Sequence, residues 1–578
     1  MRASYQNANI RGGNESTLLR FTTDDGTRAC ILVDAGDGVD LDSLLADDEY
    51  LSAVLLTHAH IDHYRTLTRN VRHSAPIYAT PATATVLEHA LPEARKDNDL
   101  GDVSAALDAL EPIDDWTSIL HDLEVRPVSA GHTPGGAGFV IRFYDENGSG
   151  ELLNGERHVL ITGDFTTRPC AGFPGLESNY PFDIDTVFLN ASTEDSYPTA
   201  LNDSIQTILE RAYAGSRVVV ATSSLTGVQY ATLLRHVTAA LDRDLPITLV
   251  GQAAKLHNGL ELDSSGIDTR EVFDRPAAVL ESGRVTICGP DTPTRGSASR
   301  LLGAIEDDPA GVFLQIATGS AETVSNVRCT TRYVELRNHP AAETIDEFVR
   351  DLAPRHVVVK HARGETLKRF QRRFDHCFTW GTNDEEIHRF YRDGEWLAPG
   401  WIAETTARQI RTNRRALVRD QPFDADGTLP PVRRGPVDLD AEGIDLDPLE
   451  NAFRSTSKDP YAASDTDATP ADIEAATTPA DTDVETAAAD PAMNRGGGDG
   501  DGSVEAELLE RLEDIEAKLD SSDETVRARV LTDGDSEQFL RLLERADVDA
   551  GDVVEIAISR SGTESESESE SESESESE

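Results

Sequence analysis

Leu51-Ser52-Ala53-Val54-Leu55-Leu56-Thr57-His58-Ala59-His60-Ile61-Asp62-His63 begins as an apolar run of strand length and ends on four metal-capable side chains within six residues. A short aliphatic run that meets polar residues predicts a buried strand stopping near Thr57. Imidazole and carboxylate are the groups that Zn²⁺, Mn²⁺ and Fe²⁺ accept. A loop leaving a rigid strand can turn alternate side chains toward one ion and the remaining pair toward a second. The reading in which His58, His60 and His63 are merely exposed polar residues leaves their spacing without a cause.

Other strand-like runs end the same way. Ile31-Leu32-Val33 stops at Asp34, Ser129-Ala130-Gly131 leads into His132, and Ile161-Thr162-Gly163 leads into Asp164. Glycine permits the tight turn that aims an adjacent ligand inward, and a carboxylate with two oxygens can bridge two cations where an imidazole cannot. Asp34 could orient a metal-bound histidine by accepting its second ring N–H. Alone, Gly-His and Gly-Asp are ordinary turn pairs; beside the first motif, His132 and Asp164 become candidate ligands. Polar groups at strand ends are where a sheet positions catalytic chemistry.

Residues 1–195 keep this strand-and-loop texture. Residues 196–335 alternate helical and strand patterns, as in Tyr230–Asp244 followed by Pro246–Gly251, and read as an inserted α/β domain. Residues 336–420 return to strand and loop. From 421 to 503 apolar content collapses into Asp, Ala, Thr, Pro and Gly, the composition of an acidic disordered linker. Residues 504–560 read as a helix plus a small strand-helix-strand module, with Ser536–Ala546 as its inner helix. Leu508, Leu512, Ile515 and Leu519 form a short seam that could pair subunits or pack on its own domain. The Ser-Glu repeat of 561–578 reads as a disordered tail.

A chain of 578 residues exceeds one ordinary domain. Its formal net charge is −52, and Lys96, Lys255, Lys360, Lys368, Lys458 and Lys518 are the only lysines, so nearly all positive charge is arginine. In ~1 M salt the Debye length is roughly 3 Å and such self-repulsion is screened, which reads as a halophilic cytoplasmic protein. Acidic tails on an ordinary protein are the alternative, but lysine is scarce in the folded part too. Five cysteines, odd in number and without a Cys-x-x-Cys pair, predict neither a disulfide framework nor a zinc knuckle and fit a reducing compartment. No basic segment followed by an apolar run opens the chain, and no apolar stretch approaches the ~20 residues that cross a bilayer. The expectation is a protein neither exported nor bound to membrane.

In this order, the His58-His60-Asp62-His63 motif, His132 and Asp164 resemble the metallo-β-lactamase superfamily over residues 1 to about 400. Two later histidines follow the insertion: His339 in Arg337-Asn338-His339-Pro340, and His361 in Val359-Lys360-His361-Ala362-Arg363-Gly364-Glu365. With them the chain resembles the β-CASP branch, which includes ribonuclease J, archaeal RNA exonucleases and the mRNA 3′-end processing endonuclease. The resemblance implies a metallo-β-lactamase αββα sandwich with an inserted β-CASP α/β domain, here followed by the linker and a small C-terminal α+β module. It implies two divalent metal ions, Zn²⁺ or else Mn²⁺ or Fe²⁺, with His58, His60 and His132 on one, Asp62, His63 and His361 on the other, and Asp164 bridging. Asp62 then counts as catalytic together with His339, which would protonate the leaving oxygen. A histidine at position 361 is what RNA-directed members of the branch tend to carry. Two departures stand out. Ala191, in Asn190-Ala191-Ser192-Thr193-Glu194-Asp195, occupies the place of a carboxylate that would orient His339, a role left to Glu194 or Asp195; and Tyr64-Arg65 replaces small residues after the signature.

The implied reaction is hydrolysis of RNA phosphodiesters by a two-metal-activated hydroxide. Lys368, Arg369, Arg372 and Arg373, with Arg408, Arg411, Arg414, Arg415 and Arg419, could contact backbone phosphates or form salt-bridged helix faces. The same dinuclear site could instead hydrolyse a small ester, thioester or lactone. A third reading, for which Ala191 speaks, is a catalytically weakened RNA-binding homologue. The expected partners are single-stranded RNA and a second copy of the chain, paired through the core or the C-terminal module.

Overall fold

The computed structural model describes residues 1–145, 155–319, 321–417, 429–453, 528–533 and 537–542. The chain divides into two compact units, Met1–Ser464 and Asp465–Glu578. In the first, period-two alternation builds a sandwich. Ile31, Val33, Ala53 and Leu55 point to one side of an eight-stranded sheet and pack with Phe139, Ile141, Val159, Phe188 and Val358 of a seven-stranded sheet. Their alternates point outward: Cys30, Leu32, Val54 and Leu56 meet Val86, Leu87 and Leu91 of the helix Pro81–Asp97. On the far side Val187, Leu189, Val357 and Val359 meet Ile345, Phe348 and Val349 of the helix Ala342–Leu352. Each strand buried on both faces therefore reads as continuous apolar sequence, and the layers are helix, sheet, sheet, helix, the metallo-β-lactamase arrangement.

The parallel neighbours Thr186–Asn190 and His356–Lys360 sit side by side in the seven-stranded sheet, although much of the chain separates them in sequence. Between them lies a six-stranded sheet, running in the order Ile267–Arg270, Ile247–Val250, Val285–Cys288, Arg217–Thr222, Gly311–Ala317 and Thr330–Glu335. All its pairings are parallel. Parallel strands need crossover connections, supplied here by helices such as Ser224–Ala240 and Gln252–Gly259. The chain leaves the sandwich at the C-terminal end of Thr186–Asn190 and returns through His356–Lys360, whose C-terminal end lies beside it.

Two expectations about the C-terminal part are corrected. Residues 429–453, read as disordered linker, are ordered within the first unit. Leu429 joins the core beneath the helix Ala342–Leu352, while Ile444, Leu449 and Phe453 join the core of the inserted sheet. The buried carboxylate of Glu442 accepts from Ala171 N and Gly172 N at 2.8 Å each. Their apolar residues are too dispersed for composition to register, yet each fills its own site. In the second unit, Glu537–Leu542 is a strand rather than a helix, paired antiparallel with Ala528–Asp533. Pairings such as Val530↔Leu540 and Leu531↔Phe539 override a helical apolar spacing. The Leu508-to-Leu519 seam, residues 454–503 and the Ser-Glu repeat lie outside the described residues.

Candidate metal centre

The sequence-selected ligands follow strand ends on one rim of the sandwich, with Asp62 and His63 carried by the short helix Ile61–Tyr64 after the strand Leu51–Leu55. Asp34 follows Arg28–Val33 and Thr57 follows its parallel neighbour Leu51–Leu55. The buried Asp34 carboxylate accepts from Thr57 N at 2.9 Å, from Thr57 Oγ1 at 2.9 Å and from His63 Nδ1 at 2.8 Å. Because a carboxylate only accepts, His63 carries a proton on Nδ1 and turns Nε2 inward. That Nε2 is buried without a hydrogen-bond partner, 3.4 Å from Asp164 Oδ2. The same logic fixes two more tautomers. Thr57 donates its hydroxyl proton to Asp34, so its oxygen accepts from His58 Nδ1 at 3.1 Å. His132 Nδ1 donates to the Asn338 carbonyl at 2.7 Å. His58 Nε2 and His132 Nε2 are then both lone pairs, and each lies 3.1 Å from His60 Nδ1. Nitrogens that converge with too few protons to share are a cation's ligand set, and 3.1 Å is close to the ~3.3 Å edge of a tetrahedron with ~2.0 Å bonds. The residues present fit a metal.

Two triplets have ligand atoms within 4.8 Å of one another: His58, His60 and His132, and His58, His63 and Asp164. Asp164, a member of the second triplet, reaches toward the first with Oδ2 3.9 Å from His132 Nε2, and its Oδ1 lies 2.8 Å from Nδ1 of His361, which belongs to neither triplet. Asp62 belongs to neither triplet and opens onto the cleft. Glycines shape the rim: Gly163 has φ +57°, and a Cβ there would lie 2.6 Å from Thr57 Cβ; Gly131 has φ +65°, and a Cβ would meet Arg168 O at 2.2 Å.

Charge follows this packing. Burial alone would raise the Asp164 carboxyl, but the His361 and His63 imidazoles win and hold it well below the ordinary range. Burial would lower His63, yet Asp34 and Asp164 on either side hold it well above its ordinary value. Burial, with the other histidines, pushes His58 well below its ordinary value and His60 down to about 4. For Asp62, the dense surround raises the carboxyl, and His63 and His60 more than reverse that.

His339 stacks on His132, with ring centroids 4.9 Å apart. Its Nδ1 is buried without a partner among the described residues, and burial pushes it down to about 3. Ala191 supplies nothing, and the neighbouring acids are turned elsewhere: Glu194 accepts from Ser196 N at 3.1 Å and Asp195 from Ala342 N at 3.1 Å. Tyr64 is buried in the outer core, and Arg65 turns to Asn98 at 3.2 Å.

Sequence reading missed several supports. Asn338 offers its carbonyl to His132, and its amide donates to Gly131 O and His132 O at 3.2 and 2.8 Å. Arg168 clamps Asn338 Oδ1 and His339 O at 3.2 and 3.0 Å. Asn190 donates to Asp164 Oδ1 at 3.0 Å. Its place beside Ala191 was a signal, because the lost carboxylate position directed attention one residue too far.

The centre floors a cavity of about 940 Å³ between sandwich and insertion. The facing wall carries Ser223, Ser224, Thr226 and Gln229, and Arg363 stands exposed on the lining. Of the basic clusters, Lys368 pairs with Glu365 at 2.6 Å and Arg373 with Asp346 at 2.8 Å. Arg408 and Arg411 lie 3.3 and 3.5 Å from Glu404, and Arg414 donates to Ala353 O at 2.9 Å. Arg369, Arg372 and Arg415 are exposed without an ion pair among the described residues, and Arg419 lies outside them.

Residues 30–164 match the family model of the beta-lactamase superfamily domain. With the αββα sandwich and the histidine-rich rim, this part of the chain is a metallo-β-lactamase-superfamily domain, as its sequence resemblance implied. The chain is 39% identical over 146 residues to Ribonuclease TTHA0252 of Thermus thermophilus, a stretch covering 23% of this chain and 33% of that protein. That match supports the β-CASP branch. A crystal structure of a protein of unknown function from Enterococcus faecalis covers 62% of this chain and 93% of its own, at 13% identity and a TM-score of 0.42. Among the described residues no helix is long and apolar enough to cross a membrane.

Proposed function

We propose that this metal-dependent hydrolase is a β-CASP ribonuclease. The observation that carries the reading is the convergence of imidazoles on Asp164 at the floor of the cavity, with His58, His60 and His132 on one side and His63 and His361 on the other. His58, His60 and His132 would hold one divalent cation, Asp62, His63 and His361 the other, and Asp164 both. Two Zn²⁺, or Mn²⁺ or Fe²⁺, would supply water activation and neutralisation of phosphoryl charge. Asp34, Thr57 and Asn338 hold the outer ring nitrogens, so the ligating nitrogens are aimed before any ligand arrives. His339, against His132 at the cavity wall, would pass a proton to the leaving oxygen. The hydroxyl-bearing wall opposite and Arg363 at the mouth suit a phosphodiester strand. Soluble, cytoplasmic, high-salt operation belongs to the same proposal.

A catalytically weakened RNA-binding homologue has one specific support: the partnerless His339 Nδ1 beside Ala191, since general acids depend on such orientation. The test is cleavage of end-labelled single-stranded RNA in high salt with Zn²⁺ or Mn²⁺, against matched DNA and the Asp62→Ala/His63→Ala double variant. RNA cleavage lost in the variant supports the nuclease. RNA binding without cleavage favours the homologue, and neither binding nor cleavage refutes both.

A further inference from the structure

Lys360 is an anomaly in its strand. Val357, Val358 and Val359 continue the apolar run expected of a strand buried on both faces, and Lys360, the next and last residue, is equally buried at 1% exposure. A buried ammonium is costly unless its hydrogen bonds are satisfied, and here all three protons find acceptors. Nζ donates to Asn7 Oδ1 at 2.8 Å, Asn14 Oδ1 at 3.1 Å and Ser16 O at 3.1 Å. These acceptors belong to the first strand of the opposite sheet and the turn after it. Asn7 is held in turn by bonds to Thr382 Oγ1 and Asp384 O at 3.1 and 3.0 Å.

The next residue shows what this cross-sheet tie is aimed at. His361 has φ +50°, a region that histidine rarely occupies without outside constraint. Its backbone N–H donates to Asn14 O at 2.9 Å, and Asn14 itself stands at φ +62°. Lys360 O accepts from Ala191 N at 2.9 Å. One asparagine thus takes the Lys360 ammonium on its side chain and the His361 amide on its backbone. In the resulting pose His361 Nδ1 meets Asp164 at 2.8 Å.

We propose that Lys360 is a positioning residue for His361: through Asn7, Asn14 and Ser16 it locks the turn that aims the imidazole at Asp164, and so sets the affinity for the second divalent cation. The inference rests on the two-cation reading above. It differs from a general stabilising role because the tie converges on one ligand and leaves His58, His60 and His132 untouched. It is also opposite in sign to simple electrostatics, by which a buried cation near the site would repel the metal.

The test is a Co²⁺ titration of the full chain in high salt, followed by the visible absorption of the bound ion, with thermal unfolding to verify the fold. Lys360→Met removes the donor. Asn14→Gly keeps the positive φ and removes the side-chain acceptor; Asn14→Asp keeps an acceptor. Two equivalents are expected for the unaltered protein. Removing such an outer partner typically weakens metal binding ~10–100-fold, so Lys360→Met and Asn14→Gly should weaken the second equivalent by that factor and spare the first, while Asn14→Asp retains both. If Lys360→Met does not fold, the Asn14 pair decides. Unchanged binding, equal weakening of both equivalents, or a tighter second equivalent overturns the positioning role and leaves the two-cation site standing. Fewer than two equivalents in the unaltered protein overturns the two-cation reading and this inference with it.

Discussion

Asp34→Asn isolates the orientation of His63 from everything else at the site. Asp34 is 1% exposed with φ +54°, and asparagine matches its volume and tolerates that backbone. The carboxylate receives three donors, Thr57 N, Thr57 Oγ1 and His63 Nδ1. A carboxamide has one acceptor oxygen, and its NH₂ must face a donor on one side. If it faces His63, the imidazole has to move its proton to Nε2, closing the lone pair that points toward Asp164. The loss is one charge-assisted hydrogen bond, about 1.5–3 kcal/mol. Converted at about 1.4 kcal/mol per decade, this is roughly a 10–100-fold loss of metal affinity. Competition with a chromophoric chelator for Zn²⁺ reads it directly, and the thermal midpoint at saturating metal verifies the fold. A variant that folds and binds metal within twofold of the unaltered protein would falsify the tautomer argument.

Replacing Arg363, Arg369 and Arg372 with alanine should weaken single-stranded RNA binding and flatten the dependence of log K on log salt by about 0.7 for each phosphate that is no longer neutralised; fluorescence anisotropy across a salt series measures it, and an unchanged slope counts against an RNA face there. His356→Phe tests buried-histidine linkage: burial, then Arg355 and Arg414, push His356 down to about 3, while unfolded histidine protonates near ~6.5. The unfolded chain therefore binds the extra proton, stability is lost as pH falls from about 6.5 toward 3, and the variant should lose about 1.4 kcal/mol less per pH unit in that window by denaturant unfolding. Equal slopes would mean that His356 titrates alike in both states.

What the sequence made legible is what a strand end makes local. His58, His60, His63, His132 and Asp164 each follow an apolar run, two of them across a glycine at positive φ, so pattern and chemistry coincide within a few residues. Asp34 was legible for the same reason. The supports were not. Asn338 acts on His132, Arg168 on His339 and Lys360 on Asn14 across 206, 171 and 346 residues of sequence. An isolated Asn or Lys carries no sign of such a partner. Glu15 shows the limit well: it is 3% exposed, and a Cβ on Gly36 would strike its carboxylate at 1.9 Å. Burial raises its carboxyl despite His63 and His361 nearby, yet in sequence it is one acid in a glycine-rich turn. The segment 429–453 was missed for the converse reason, since its apolar residues are dispersed and its composition resembles that of chains that never fold.

In the proposed RNA complex the global charge and the local basic cluster would act in opposite directions, and salt would weaken both. With 105 acidic residues against 53 lysines and arginines, the chain as a whole repels a polyanion, and at a Debye length of roughly 10 Å in ~0.1 M salt that repulsion reaches well beyond contact. At ~1 M salt it shrinks to roughly 3 Å, so only groups touching a phosphate still act. Residues 363–373 hold five cations against one carboxylate, and four of the five are arginines, whose planar guanidinium retains bidentate hydrogen bonding when point-charge attraction is screened. The measured salt slope of the unaltered protein therefore mixes a repulsion relieved by salt with an attraction weakened by it. Its sign alone identifies neither. The difference between that slope and the slope of the arginine variants would largely cancel the distant charges and isolate the groups proposed to touch RNA.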